Sequence, residues 1–236
     1  MRPALHIPDG FIDVPTSAAV WVIAVLGIAL ALRGARRQLD DSLIPMAGLT
    51  AVFIFAMQML NFPVAAGTSG HLIGAALAAV LIGPWAAVLA LTVVLVVQAL
   101  FFADGGLIAL GLNITNLALV AVAVSWLVFS LLARLLPKSP LSVIITAGIA
   151  GFLSVPVAAL AFVVEFALGG TGAVPLATVF TAMVGVHLVI GVIEGIVTAL
   201  VVAAVLALRP DLVFGARGLL PERMLTLTPA RAPKGV

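Results

Sequence analysis

The sequence predicts an all-α polytopic membrane protein, a bundle of about seven transmembrane helices with its N-terminus outside and its C-terminus inside. Three observations carry that expectation. Hydrophobic residues make up 64% of the 236 and charged residues only 8%, which leaves too little polar surface for a soluble globule of this size. Apolar runs of about 20 residues, the length that crosses a hydrocarbon core of about 30 Å, recur between Gly, Pro and charge clusters. Lysine and arginine collect at alternate ends of those runs.

The runs place spans at about 16 to 33, 43 to 61, 70 to 82, 84 to 102, 107 to 133, 141 to 168 and 175 to 208. The first closes on Arg33, Arg36 and Arg37, and the fifth on Arg134 and Lys138. A single span from 70 to 102 would be too long, so Gly83-Pro84 is expected to make a tight inner turn. With the N-terminus outside, ten of the eleven basic residues face inward: Arg33, Arg36, Arg37, Arg134, Lys138, Arg209, Arg217, Arg223, Arg231 and Lys234. Arg2 alone faces outward, and the imbalance fixes the orientation. The domain reading is one integral membrane domain over 1 to 208, with 1 to 15 as an outer segment. Residues 209 to 236 form a short cytoplasmic tail that lies on the membrane or touches a partner.

Composition also excludes. No cysteine is present, so disulfides, thiolate metal sites and cysteine nucleophiles are absent. The net charge of +2 does not point to nucleic acid, because the basic residues are scattered at helix ends without interleaved aromatics; lipid headgroups are the simpler partner. The first apolar stretch follows Asp9 and Asp13 and lacks a convincing cleavage site, so no cleavable signal peptide is expected.

The polar residues are few enough to weigh singly. His6 lies in His6-Ile7-Pro8-Asp9-Gly10-Phe11, and His71 closes Gly67-Thr68-Ser69-Gly70-His71; both fall in outer loops. Two imidazoles converging there suggest a transition-metal site. Thr68 or Ser69 could cap the following helix and fix the direction of the His71 ring. The loop Phe102-Ala103-Asp104-Gly105-Gly106, with Asn113 beyond it, offers a carboxylate and an amide that could pin the N-terminal segment, although a structural turn also explains Asp104-Gly105. Within the spans, His187 and Glu194 are seven residues apart and so share a helix face. They serve either as hydrogen-bonding glue between helices or in transport coupling. Glu165 lies near an outer helix end and could snorkel.

These motifs resemble the CbiM/NikM family, the substrate-binding membrane components of energy-coupling factor importers for cobalt and nickel. The resemblance covers roughly residues 5 to 208. It rests on the two histidine motifs with Leu72, on Leu81-Ile82-Gly83-Pro84-Trp85, on Gln98 through Gly106, and on Leu110-Gly111-Leu112-Asn113, with a weaker echo from His187 through Glu194 to Thr198. It implies an ion held by a free N-terminal amine, by the backbone nitrogen and imidazole of a histidine in second position, matched here by His6, and by a second histidine, matched by His71. Four such nitrogens in a plane suit Ni(II), Cu(II) or Co(II) far better than calcium or magnesium, and the resemblance implies Co(II) or Ni(II) carried as substrate rather than held as a cofactor. Asp9, Ser69, Asp104 and Asn113 are expected as the supporting loop residues.

The sequence departs from the family pattern at its start, since Met1-Arg2-Pro3-Ala4-Leu5 precedes His6. Leu5 is therefore expected as the true initiator, read as methionine, with its amine as a ligand. The resemblance further implies a transmembrane coupling subunit, cytoplasmic ATPases and a small membrane subunit expected as a separate chain, in the plasma membrane of a prokaryote. No G-x-x-x-x-G-K-[ST] loop occurs, so ATP hydrolysis falls to partners and this chain is not an enzyme. Two other classes compete. A proton-coupled carrier would use Glu194 and His187, and a rhomboid-type serine protease would use Ser69 with His187.

Overall fold

A computed structural model describes residues 6–38, 43–63 and 69–221. Helix dominates, as the long apolar runs require: a backbone surrounded by lipid must satisfy its own hydrogen bonds. In chain order the helices are α1 (Val14–Gln38), α2 (Leu43–Gln58), α3 (Ala75–Ile82), α4 (Pro84–Phe101), α5 (Leu110–Leu135), α6 (Pro140–Gly169) and α7 (Leu176–Leu208). Five of them, α1 and α4 to α7, are long and apolar enough to cross a membrane. Strands β1 (Asn61–Pro63) and β2 (Ser69–His71) form a small antiparallel hairpin, Asn61 opposite His71.

Helix ends follow local chemistry. Asp13 opens α1, its carboxylate accepting the Thr16 N–H at 2.8 Å, and Arg36 and Arg37 occupy the last turn, where cations suit the helix dipole. Ser139 caps α6 by accepting the Ser142 N–H, with Pro140 in the first turn, where its missing N–H costs nothing. Within α5 the stretch Ile114–Val120 is π-helical.

The close pairing of α6 with α7 depends on small residues. A side chain at Gly191 or Gly195 would meet the backbone carbonyls of Phe152 and Gly148 at 2.6 and 2.7 Å, so only hydrogen there lets the two helices approach this far. That approach buries Glu194, near the middle of α7, to 1% exposure.

Three expectations need correction. The span expected over 70 to 82 is a strand end followed by the eight-residue α3, about 12 Å long and too short to cross alone. All eight of its residues are buried, as are His71 to Gly74 just ahead of it, so this stretch is covered by protein rather than lipid. The expected break at Gly83-Pro84 does separate two helices, α3 and α4. Glu165 does not snorkel: it is buried, and its carboxylate accepts the Asn116 side-chain N–H at 2.7 Å. The tail expected from 209 folds back instead, with Val213, Ala216 and Leu220 joining the core and Phe214 against Trp126. Compact structure therefore continues to Leu220, whereas Arg223, Arg231, Lys234 and Arg2 lie outside the described residues.

Candidate metal centre

The N-terminal segment 6–13 runs as a strap across one end of the bundle, and its hydrogen bonds explain why. Pro8 and Gly10 allow a turn, in which Asp9 points its carboxylate at the start of α5. There it accepts the N–H groups of Leu107 at 3.1 Å and Ala109 at 2.9 Å. Asn113 holds Ile7 from both sides, accepting its N–H at 3.0 Å and donating to its carbonyl at 3.2 Å. Further along, Asp13 N–H donates to the Gly169 carbonyl at 2.7 Å, and the Thr171 hydroxyl donates to the carbonyl of Gly10 at 2.6 Å. Phe11 lies against Phe162 and Phe166 of α6. Some of these bonds lie at the surface, such as those to Leu107 and Gly10, and others are partly buried, such as those to Ala109 and Ile7.

This strap presents His6. Its backbone N–H donates to the Asp104 carboxylate at 3.3 Å, and its Nδ1 lies 3.2 Å from the other oxygen of the same group. Gly105 makes the approach possible. Its φ of +87° is strained for any side chain, and a Cβ there would lie 2.8 Å from the His6 Cβ.

His71 arrives from the opposite direction, at the end of β2. Its ring centroid is 4.6 Å from that of His6, and both residues are 94% buried. The His71 Nδ1 lies 2.7 Å from the Leu72 carbonyl, which can only accept, so Nδ1 carries the hydrogen and Nε2 keeps its lone pair. A neutral ring in this tautomer offers Nε2 to an ion. The His6 Nε2 is buried without a hydrogen-bond partner among the described residues, as a nitrogen awaiting an ion would be.

The structure thus brings His6, His71, Asp104, Asn113 and Asp9 to one end of the bundle. Among the described residues no three His, Asp or Glu side chains converge in a way that would by themselves hold a metal. Leu5, whose amine was expected as a further ligand, lies outside the described residues, as does Thr68. Ser69 belongs to β2 and does not cap α3, which begins only after Gly74. His187 bonds within its own helix, Nδ1 to the Met183 carbonyl at 2.6 Å. Glu194 reaches instead to the loop behind His71, where its two carboxylate oxygens accept the N–H groups of Ile73 and Gly74. Gln58 escaped the sequence reading; its side chain donates to the Ile73 carbonyl at 2.9 Å. A lone amide closing the otherwise apolar α2 was the signal for it.

Residues 6–212 match the family model described as the CbiM cobalt uptake substrate-specific transmembrane region. The chain belongs to this family. It is 41% identical over 210 residues to a Haloquadratum walsbyi protein, covering 89% of this chain and 94% of that one, whose description proposes metal transport without naming the metal. It is 37% identical to the fused nickel transport protein NikMN of Rhodobacter capsulatus, covering 94% of this chain and 68% of that one. A crystal structure described as a transition metal transporter superposes with a TM-score of 0.80 at 32% identity, covering 87% of this chain and 94% of that one. The protein is accordingly a multi-pass member of a cobalt and nickel transport family.

Proposed function

We propose that the protein is the substrate-capture membrane subunit of an ATP-driven importer for Co(II) or Ni(II). It sits in a prokaryotic plasma membrane with the strap outside and the arginine-rich helix ends inside. The hairpin and α3 together make one passage, so the chain crosses seven times. One observation carries the reading: two neutral-capable imidazoles from segments 65 residues apart meet with their rings 4.6 Å apart, both buried.

Chemistry follows from the donors. Nitrogen ligands favour late first-row divalent ions over calcium and magnesium, which prefer oxygen. His71 offers Nε2, and His6 offers its ring, with the N-terminal amine proposed at Leu5 completing the set. Should the His6 backbone nitrogen also ligate, its proton has an acceptor already in place in the Asp104 carboxylate, 3.3 Å away. Asp104 also sets a negative charge beside the incoming cation. Asp9 and Asn113 keep the strap seated while the ion is held. Release inward then requires the strap to be displaced, which we assign to a transmembrane coupling subunit driven by cytoplasmic ATPases, with a separate small membrane subunit completing the complex.

Metal analysis of the purified protein tests this directly. Wild type should retain close to one Ni(II) or Co(II) per chain, and His71→Ala should lose it while Ser69→Ala keeps it. Equal retention in the wild type and His71→Ala would overturn the reading. Intact mass of the natural protein decides whether Leu5 opens the mature chain.

A further inference from the structure

Glu194 is an expensive residue where it stands. A carboxylate in the middle of a membrane helix is retained only when something satisfies it, and the usual partner is another side chain. Here both oxygens go to backbone: Oε2 accepts the Ile73 N–H at 2.8 Å and Oε1 the Gly74 N–H at 2.6 Å. The Gly74 N–H is one of the orphan donors at the start of α3, whose Gly74 cap supplies no side-chain bond of its own, and the Ile73 N–H stands just ahead of it. A carboxylate there also faces the positive end of the helix dipole.

The consequence for His71 comes through one peptide group. The Ile73 N–H that Glu194 accepts and the Leu72 carbonyl that meets His71 Nδ1 at 2.7 Å belong to the same planar unit. In a trans peptide the N–H and C=O point in opposite directions, so fixing one fixes the other. Gln58, donating to the Ile73 carbonyl at 2.9 Å, stops the next peptide from swinging. We infer that Glu194 is a positioning residue for metal capture, holding the 72–73 peptide plane so that its carbonyl locks His71 as the Nδ1–H tautomer with Nε2 aimed at the ion. A carboxylate commonly orients a metal-binding histidine directly; here a backbone amide stands between them. Polarisation along such a chain of hydrogen bonds also makes Nε2 a better donor.

This inference rests on the metal reading above, and two measurements keep them apart. In the metal-free protein, nitrogen-15 spectra of the His71 ring should show the Nδ1–H tautomer in wild type and a mixture in Glu194→Ala. Glu194→Gln, which keeps one acceptor oxygen and fills the same space, should lie between them. It carries the test if the alanine variant does not fold. With Cu(II) as spectroscopic probe and Ni(II) for affinity, Glu194→Ala should weaken binding about ten- to a hundredfold and move the Cu(II) spectrum toward that of His71→Ala. In the His71→Ala background the same substitution should cost no further affinity. A folded Glu194 variant with wild-type tautomer overturns the inference, as does an equal loss of affinity with and without His71, which marks Glu194 as merely structural. Wild type lacking any His71-dependent metal signal would bring down the metal reading, while the tautomer result still decides the part Glu194 plays.

Discussion

The two histidines are held in opposite ways. His6 rides on a strap that crosses the surface of the bundle, tied by contacts to loops and helix ends that are partly open to solvent, such as Asp9 to Leu107. His71 sits on a hairpin that dips into the bundle and is fixed from behind by groups with no solvent access, Glu194 from α7 and Gln58 from α2. Surface ties can be undone one at a time, whereas buried donors and acceptors have no water to turn to. His6 therefore hangs partly on ties that water can replace, and His71 on ties that it cannot.

The largest expected effect comes from forcing the strap off its seat. In Gly105→Ala the residue must keep φ at +87°, a strain of about 1–2 kcal/mol, and its Cβ must share space with that of His6. His6 gives way because the strap is the softer partner. Metal affinity should fall about a hundredfold, read by isothermal titration, while the thermal midpoint of the metal-free protein drops by only a few degrees. A variant that loses stability but binds metal normally would mean that His6 is not a ligand.

A paired substitution sharpens the contrast at smaller magnitude. Asn113→Ala removes both bonds to Ile7, and Gln58→Ala removes the bond to the Ile73 carbonyl. Losing a partner for a buried group costs about 1–3 kcal/mol in either case, but where that cost shows should differ. Asn113→Ala should chiefly speed metal dissociation, about tenfold, because the strap opens more often. Gln58→Ala should chiefly lower the thermal midpoint and leave affinity within about threefold, since Glu194 still holds the His71 side of the loop. The reverse pattern would exchange the roles of strap and hairpin.

Much of this arrangement was legible in the sequence, for reasons the residues themselves give. Apolar run length and the placement of arginine drew the long helices, and His6, His71, Asp104 and Asn113 stood out because polar residues are scarce in such a chain. What periodicity could not show was depth. Residues 70 to 82 are as apolar as a true span, because a half-helix walled in by protein needs hydrophobic neighbours just as one in lipid does, and α3 is short because β2 and the turn at Gly74 precede it. Glu194 was visible as a costly charge, yet its partners are backbone N–H groups more than 110 residues away in sequence, and a backbone donor leaves no mark on residue identity. Glu165 misled for a related reason: only the fold brings Asn116 against it.

The smallest effect comes from the far end of the strap. Thr171→Val removes the bond from the Thr171 hydroxyl to the Gly10 carbonyl, an exposed pair whose partners water can replace, so metal affinity should fall by no more than about twofold. A loss as large as that of Asn113→Ala would mean that the strap is held as one unit and not tie by tie.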